Sequence, residues 1–372
     1  MTTLIDVPPG LNGVAVADTT IGDVLAKEGR FHYRGHDVGA LARTHSFEEV
    51  WHLVAVGHLP DPVELAAFRA TVESARVLPP SIEAALETLA PPSAPVSLGR
   101  IGAALAIAAA DLGLLPLIDL TPEERSSQAR RVAAVIPTIA AAIHRVSSGD
   151  RPVSPDPELA HVPAYLQMVT GQRPTRAAAR AVEQYLILTI DHGFNASTFT
   201  ARVVASTGAD LGHVVTAALG ALSGPLHGGA PSRALDILDA IGDPANTEEW
   251  VDAELAAGRR IMGFGHAVYR HRDPRSALLR EVATALGGDL VERAVEVEAR
   301  VLAALRRAKP NRPLPSNVEF FAGVVMASAG LPRALFTPTF AVSRTVGWVN
   351  HAVEQAAIGK LIRPSARYVP LG

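Results

Sequence analysis

Apolar residues recur at three- and four-residue intervals through much of the chain, the spacing of a helix with one buried face. The pattern predicts helices over 46–56, 175–190, 195–207, 211–222, 232–241, 247–257, 276–286, 290–307, 318–329 and 340–358. The first has a clear start: Ser46 stands at the N-cap, and Glu48 and Glu49 fall in the first turn, where acidic groups suit the helix dipole. Strand signals are scarce. Aromatic residues are 5% of the chain, and alternating Val/Ile/Thr runs are nearly absent. Residues 31–35 (Phe31-His32-Tyr33-Arg34-Gly35) read as a short extended piece. The predicted fold class is all-α. Proline-rich breaks at 78–81, 90–96, 151–162 and 310–315 are too short to be disordered linkers. Neither an internal repeat nor a composition shift marks a domain boundary.

Length and composition narrow the class. A chain of 372 residues suggests two domains or one large one. With 48% apolar and 19% charged residues it suits a soluble globular protein with a large core. The formal net charge of −3 gives no global attraction for nucleic acid or an anionic membrane, so an anion site must be built locally. The absence of cysteine excludes disulfides, thiolate nucleophiles, Fe–S clusters and Cys-ligated zinc. It says little about compartment. Residues 1–9 carry Asp6 and two prolines rather than a basic region followed by an apolar one, unlike a secretory signal. The longest apolar stretch, 101–110, is about half a membrane span and ends at Asp111. The expectation is a cytoplasmic protein with neither a membrane nor a nucleic-acid partner.

Three segments place polar chemistry inside apolar surroundings. In the first, 223–231, a helix ends, a Gly-rich turn follows, and Pro231 suits the first position of the next helix. His227 then lies near a positive helix end, which favours a neutral, hydrogen-bond-donating imidazole. The plainer alternative is a histidine in an ordinary turn. In the second, Gly263 and Gly265 let the backbone bend around a ligand next to His266. Asp273 can cap the following helix, with Pro274 at its first position. Arg275 then falls in a first turn, where the dipole disfavours a cation unless an anion compensates it; an exposed arginine is the plainer alternative. In the third, Glu319 is flanked by Val318, Phe320 and Phe321. Desolvation there would make it a stronger base, whereas an outward-facing helix glutamate is the commoner case. Arg344, in a strongly apolar stretch, needs an anionic partner if buried. Arg363 precedes Pro364 and reads equally well as a surface residue. His192, at a helix start, reads equally well as a core histidine.

Together these segments resemble the citrate synthase family nearly end to end. The resemblance is carried by Gly10-Leu11-Asn12-Gly13-Val14, Tyr33-Arg34-Gly35-His36-Asp37-Val38, Gly57-His58-Leu59-Pro60 and Asn195-Ala196-Ser197-Thr198. GPLHGGA (224–230), MGFGHAVYR (262–270), DPR (273–275), NVEFF (317–321), LFTPTFAVSRTVGW (335–348) and Arg363-Pro364 with Tyr368 continue it. The family implies an all-α homodimer, with a large domain (1–228 and 331–372) and a small inserted domain (229–330). It implies condensation of acetyl-CoA with oxaloacetate in the cleft between them, without a permanently bound cofactor; the coenzyme A thioester is a substrate. Its catalytic groups would be His227, His266 and Glu319. His192, Arg275, Arg344 and Arg363, the last serving the partner subunit, would hold oxaloacetate. Ile261, Met262, Gly263, Phe264 and Gly265 would lie against coenzyme A, with Arg270 and Arg272 as candidates for its phosphates.

The chain departs from the family where Glu319 replaces the usual Asp, Pro231-Ser232 follows LHGGA in place of Asn, and Gly193 replaces a Glu. The extra methylene of Glu319 moves its carboxylate by up to about 1.5 Å. Some members of the family resemble this Glu variant. Two other readings stand beside the citrate synthase one: a 2-methylcitrate synthase using propionyl-CoA, and a catalytically impaired ligand-binding paralogue. No metal site is expected. The 13 histidines are scattered, and the dense set His32, His36, His45, His52 and His58 reads as surface or packing. No G-x-S-x-G elbow is present.

Overall fold

In the computed structural model of the chain the described residues are 4–227, 231–265, 269 and 273–370, without the side chains of 231–234. The expected extended piece is the middle strand of a small antiparallel meander: β1 (Gly22–Leu25), β2 (Arg30–Tyr33) and β3 (His36–Asp37). Gly22 pairs with Tyr33, and His32 with Asp37. Helices follow as α1 (Val38–Thr44), α2 (Phe47–Val56), α3 (Pro62–Ser74), α4 (Pro80–Leu89), α5 (Leu98–Ile107), α6 (Pro122–Ser147), α7 (His161–Thr170) and α8 (Arg176–Ile187). The rest are α9 (Ala196–Ala205), α10 (Leu211–Leu222), α11 (Pro231–Ile241), α12 (Thr247–Ala256), α13 (Pro274–Leu286), α14 (Asp289–Ala308), α15 (Val318–Ser328) and α16 (Phe336–Ile358).

Every helix predicted from periodicity occurs, and Ser46 forms a capping box with Glu49 at the start of α2. The periodicity misses α1 and α3 to α7. The longest, α6, shows why. Residues 132–143 are buried on every side, so no polar face sets the period, and Pro137 in its interior reads as a breaker. Its start does carry a signal, since Thr121 and Glu124 form a capping box ahead of Pro122.

One helix group is built on α16, which packs against α6, α9 and α10, with α5 against α10. A second group packs α13 and α11 against α15, and α12 against α14. Helix α8 touches both groups, meeting α16 on one side and α13 and α15 on the other. Among the described residues no helix is long and apolar enough to cross a membrane.

Candidate active site

Where the two groups meet lies a cavity of about 610 Å³. His192 from the turn before α9, His227 from the turn after α10, Arg275 and Glu319 from the first turns of α13 and α15, and Arg344 from α16 all line it. These five residues are up to 152 positions apart in sequence, and all five were singled out by the sequence. Among the described residues, three arginines, Arg260, Arg275 and Arg344, share the lining with a single carboxylate, Glu319. Such a charge set suits a small anion.

Arg344 is 2% exposed. Its Nε donates to Thr189 O at 2.8 Å, and its guanidinium lies 4.6 Å over the Phe340 ring. Burial lowers its pKa, partly offset by the charge of Asp191. Among the described residues no carboxylate comes within ion-pair distance of it. A desolvated guanidinium of this kind has the geometry and charge that suit a carboxylate. Arg275 is also buried, and its compensating anion is its own helix cap. Asp273 Oδ1 accepts from Arg275 N (3.0 Å) and Nε (3.1 Å), and Oδ2 accepts from Nη2 (3.0 Å). Burial works against the charge of Arg275, but Asp273 outweighs it and the pKa is raised. Asp273 Oδ2 also accepts from Val318 N at 3.0 Å, which ties the start of α15 to the start of α13.

Glu319 sits at the second position of α15, where Asn317 caps the helix by accepting from Glu319 N at 3.0 Å. Phe320 and Phe321 behind it are wholly buried. Residues 263–265 are clamped to the segment leading into α15: Gly265 N donates to Pro315 O (2.7 Å), Asn317 N to Gly263 O (2.8 Å) and Asn317 Nδ2 to Gly265 O (3.0 Å). Gly263 has φ +77°, and a Cβ there would stand 3.2 Å from Phe320 Cβ, so this close approach requires glycine.

The His227 ring meets the N-terminus of α9. Its Nε2 lies 2.8 Å from Ser197 Oγ and accepts from Ser197 N at 3.3 Å. A backbone N–H can only donate, so Nε2 keeps its lone pair and Nδ1 carries the proton. The Ser197 hydroxyl has one proton and two acceptors at 2.8 Å, Asn195 Oδ1 and His227 Nε2, and it accepts from Trp348 Nε1 at 3.2 Å. Burial, and then the charge of Arg344, lower the His227 pKa, so a neutral imidazole is favoured. The helix end that the ring meets is that of α9, not of the helix that follows His227 in the sequence.

A stripe along α16 secures the turn that carries His192. Ser343 Oγ donates to Leu186 O, Arg344 Nε to Thr189 O, and His351 Nε2 lies 3.2 Å from Asp191 Oδ1. Burial disfavours the Asp191 charge, but His351, Arg344 and the Gly193 N–H outweigh it and lower its pKa. His192 Nε2 lies 3.0 Å from Tyr269 Oη, and its ring meets Phe31 edge-on.

The other predicted site residues divide three ways. Gly265 lines the cavity, while Ile261, Met262, Gly263 and Phe264 form the clamped loop beside it. Arg363 is exposed on the C-terminal tail and does not line its own chain's cavity. His266, Arg270 and Arg272 lie outside the described residues. Sequence reasoning missed Ser197, Tyr269 and Arg260, and saw in Asp273 only the cap. The partners of Ser197, Tyr269 and Asp273 described above beyond their own turns lie 30 to 151 positions away, and no local pattern announces such pairings.

The family model described as "Citrate synthase, C-terminal domain" matches residues 10–365. The chain is 38% identical to a 2-methylcitrate synthase of Mycobacterium tuberculosis, covering 98% of this chain and 90% of that one. It is 37% identical to a citrate synthase of Haloferax volcanii over 96% and 94% of the two chains. Among solved structures it is similar to citrate synthase from Thermoplasma acidophilum in ternary complex with carboxymethyl coenzyme A and oxaloacetate. That match has a TM-score of 0.91 at 29% identity, covering 99% and 97%. Citrate synthase from Thermotoga maritima matches with a TM-score of 0.85 at 33% identity, covering 98% and 96%.

Proposed function

The chain belongs to the citrate synthase family, and we propose that it condenses acetyl-CoA with oxaloacetate and hydrolyses the product thioester to citrate and free coenzyme A. The observation that carries this reading is the pair of buried arginines, Arg275 and Arg344, sharing one cavity with a carboxylate and a neutral imidazole. The arginines, with His192, hold the oxaloacetate carboxylates. Glu319 takes a proton from the acyl methyl group. Nδ1–H of His227 donates to the thioester oxygen as the enolate forms. Thioester α-protons are weakly acidic, so base and donor must act on the same substrate together. His266 polarises the oxaloacetate carbonyl that the enolate carbon attacks, and water then releases coenzyme A. Residues 261–265 receive the coenzyme, with Arg270 and Arg272 on its phosphates; no permanently bound cofactor takes part.

The cavity lies between a large domain (1–228 and 331–372) and a small one (229–330), a division supported by the packing of α11 to α15 mainly on one another. The working unit is a cytoplasmic homodimer in which Arg363 of each chain completes the other's cleft. The exposed position of Arg363 supports that role. With acetyl-CoA the reaction is that of the tricarboxylic acid cycle. The 38% identity to a 2-methylcitrate synthase favours a second reading, with propionyl-CoA as the acyl donor. One methylene in a pocket is worth about 1–3 kcal/mol, so the two readings differ in small contacts.

Thiol release with oxaloacetate and acetyl-, propionyl- or butyryl-CoA tests the proposal. Wild-type protein should release coenzyme A, and Glu319→Gln should lower kcat by at least about 10²-fold. A kcat/KM favouring propionyl-CoA selects the second reading. No release by the wild type, with release restored by Glu319→Asp, would make the chain a ligand-binding paralogue.

A further inference from the structure

The histidine-dense segment 32–58 plays no part in the cleft, but two of its members meet a carboxylate where α2 turns into α3. Gly57, with φ +106° and its N–H on Leu53 O, ends α2 in the left-handed conformation. That turn brings His58 back beside His52, the ring centroids 5.2 Å apart at 78°. Glu64 stands at the third position of α3, and its Oε1 lies 3.0 Å from His58 Nε2. One nitrogen from each ring and one Glu64 oxygen all fall within 4.8 Å of one another. None of the three residues lines the cleft.

Two of the three groups are also oriented from behind. His52 Nδ1 lies 3.0 Å from His58 O, and a carbonyl can only accept. The proton is therefore on Nδ1, and Nε2 keeps its lone pair, the arrangement found in metal-binding histidines. The His52 ring is further held edge-on by Phe68 at 5.3 Å. Glu64 Oε2 is engaged by Asp61 N at 2.9 Å in the capping box of α3, so the carboxylate is anchored through one oxygen and presents the other. We propose that His52, His58 and Glu64 form a binding site for a divalent transition-metal ion of the zinc type, fastening the α2–α3 turn.

The dimensions suit such an ion. Metal–ligand distances near 2.0 Å give a tetrahedral edge of about 3.3 Å. The His58–Glu64 pair is already close to that. The remaining closure, at most about 1.5 Å, falls to the His58 and Glu64 side chains, which are 56% and 41% exposed. Two imidazoles and one carboxylate select zinc, nickel, cobalt or copper over magnesium or calcium, which take oxygen ligands. The water-facing side leaves a fourth position for solvent. Without an ion, the same residues form only a surface His58–Glu64 pair beside a packed histidine.

Titration calorimetry on tag-free, chelator-stripped full-length protein distinguishes the two. One Zn²⁺ should bind per chain, a Co²⁺ titration should develop visible d–d absorption, and Zn²⁺ should raise Tm. His58→Ala and Glu64→Gln should each weaken binding at least about 10-fold. Glu64→Gln keeps a side-chain oxygen for the capping box, His58 is exposed and Glu64 partly so, and the metal-free Tm of the variants reports that folding is intact. The proposal is overturned if no saturable one-to-one uptake occurs. Equal affinity in wild type and both variants overturns it too, by assigning the ion to other histidines.

Discussion

Gly347→Ala sets two effects of opposite sign against each other. Gly347 lies inside α16, where glycine costs an isolated helix about 1 kcal/mol relative to alanine. On propensity alone the substitution stabilises. A Cβ built at Gly347 falls 2.2 Å from Ile190 O and 3.6 Å from Asp191 Cβ. To reach even 3.0 Å, helix and turn must part by about 0.8 Å. The atom met is backbone, so no side chain can rotate away. The neighbours on the same stripe, Arg344 to Thr189 O and His351 to Asp191, resist the separation. Overpacking of this kind costs about 1–3 kcal/mol, which outweighs the gain in propensity. The displaced turn carries His192 and the stripe carries Arg344, both lining the cavity. Misplacement of about 1 Å at a reacting centre costs on the order of 10²-fold in rate. Expected, then, are a lower Tm in a thermal melt and a drop of about 10²-fold in kcat/KM for coenzyme A release. A Tm equal to or above wild type, with unchanged kinetics, would refute the reasoning, because propensity would have won at a position where the geometry says it cannot.

Arg344→Met should separate binding from stability: KM for oxaloacetate should rise by about 10- to 150-fold, the worth of charge-assisted hydrogen bonds at about 1.5–3 kcal/mol. The Tm of the ligand-free protein should hold or rise, since the buried guanidinium has no ion-pair partner among the described residues; an unchanged KM would remove Arg344 from the site. A second expectation concerns His161, wedged between Phe47 and Trp51, whose pKa is lowered to about 3 by burial and then by Arg76. The unfolded chain, with histidine near 6.5, binds the proton first, so stability present at pH 7 falls as pH drops below about 6.5 and goes on falling towards about 3. The loss from this one group is on the order of 4–5 kcal/mol. His161→Phe should flatten the dependence of Tm on pH between about 6 and 4, and a parallel profile would show that His161 carries no such linkage.

The sequence and the structure agree best where the physics is local. N-cap residues, Pro at the first helical position and one-sided apolar stripes are read within a few positions, and Ser46 and Asp273 act as caps as their neighbours imply. Helix α6 escapes because burial on every side erases the period that reveals a helix. At the cavity, residue types out of keeping with their surroundings pointed to His227, Arg275, Glu319 and Arg344. What could not be read was how each is held. Nothing near Asp273 foretells its hydrogen bond to Val318, 45 positions on, and nothing near His351 foretells Asp191, 160 positions back. Such pairings depend on which helices pack together, which no single segment encodes.

The manner of holding bears on the one departure that lies among the expected catalytic groups. If α15 could slide, a longer base would be absorbed by the backbone. Instead its first turn is fixed from three sides: by Asn317 as cap, by Asp273 at Val318 N, and by the clamp of 315–317 on 263–265. Phe320 and Phe321, both buried, anchor the next turn. The backbone therefore has little freedom to retreat, and the extra methylene of Glu319 must project into the cavity, by up to about 1.5 Å. The intrinsic basicity of the two acids is nearly equal, at about 3.9 and 4.3, so what distinguishes them here is reach. A site shaped around Glu319 should then lose activity when the carboxylate is withdrawn. In the thiol-release assay, Glu319→Asp should retain the KM for oxaloacetate while kcat falls by about 10²-fold. If the variant instead ran as fast as wild type, the first turn of α15 would have to be more yielding than its hydrogen bonds imply.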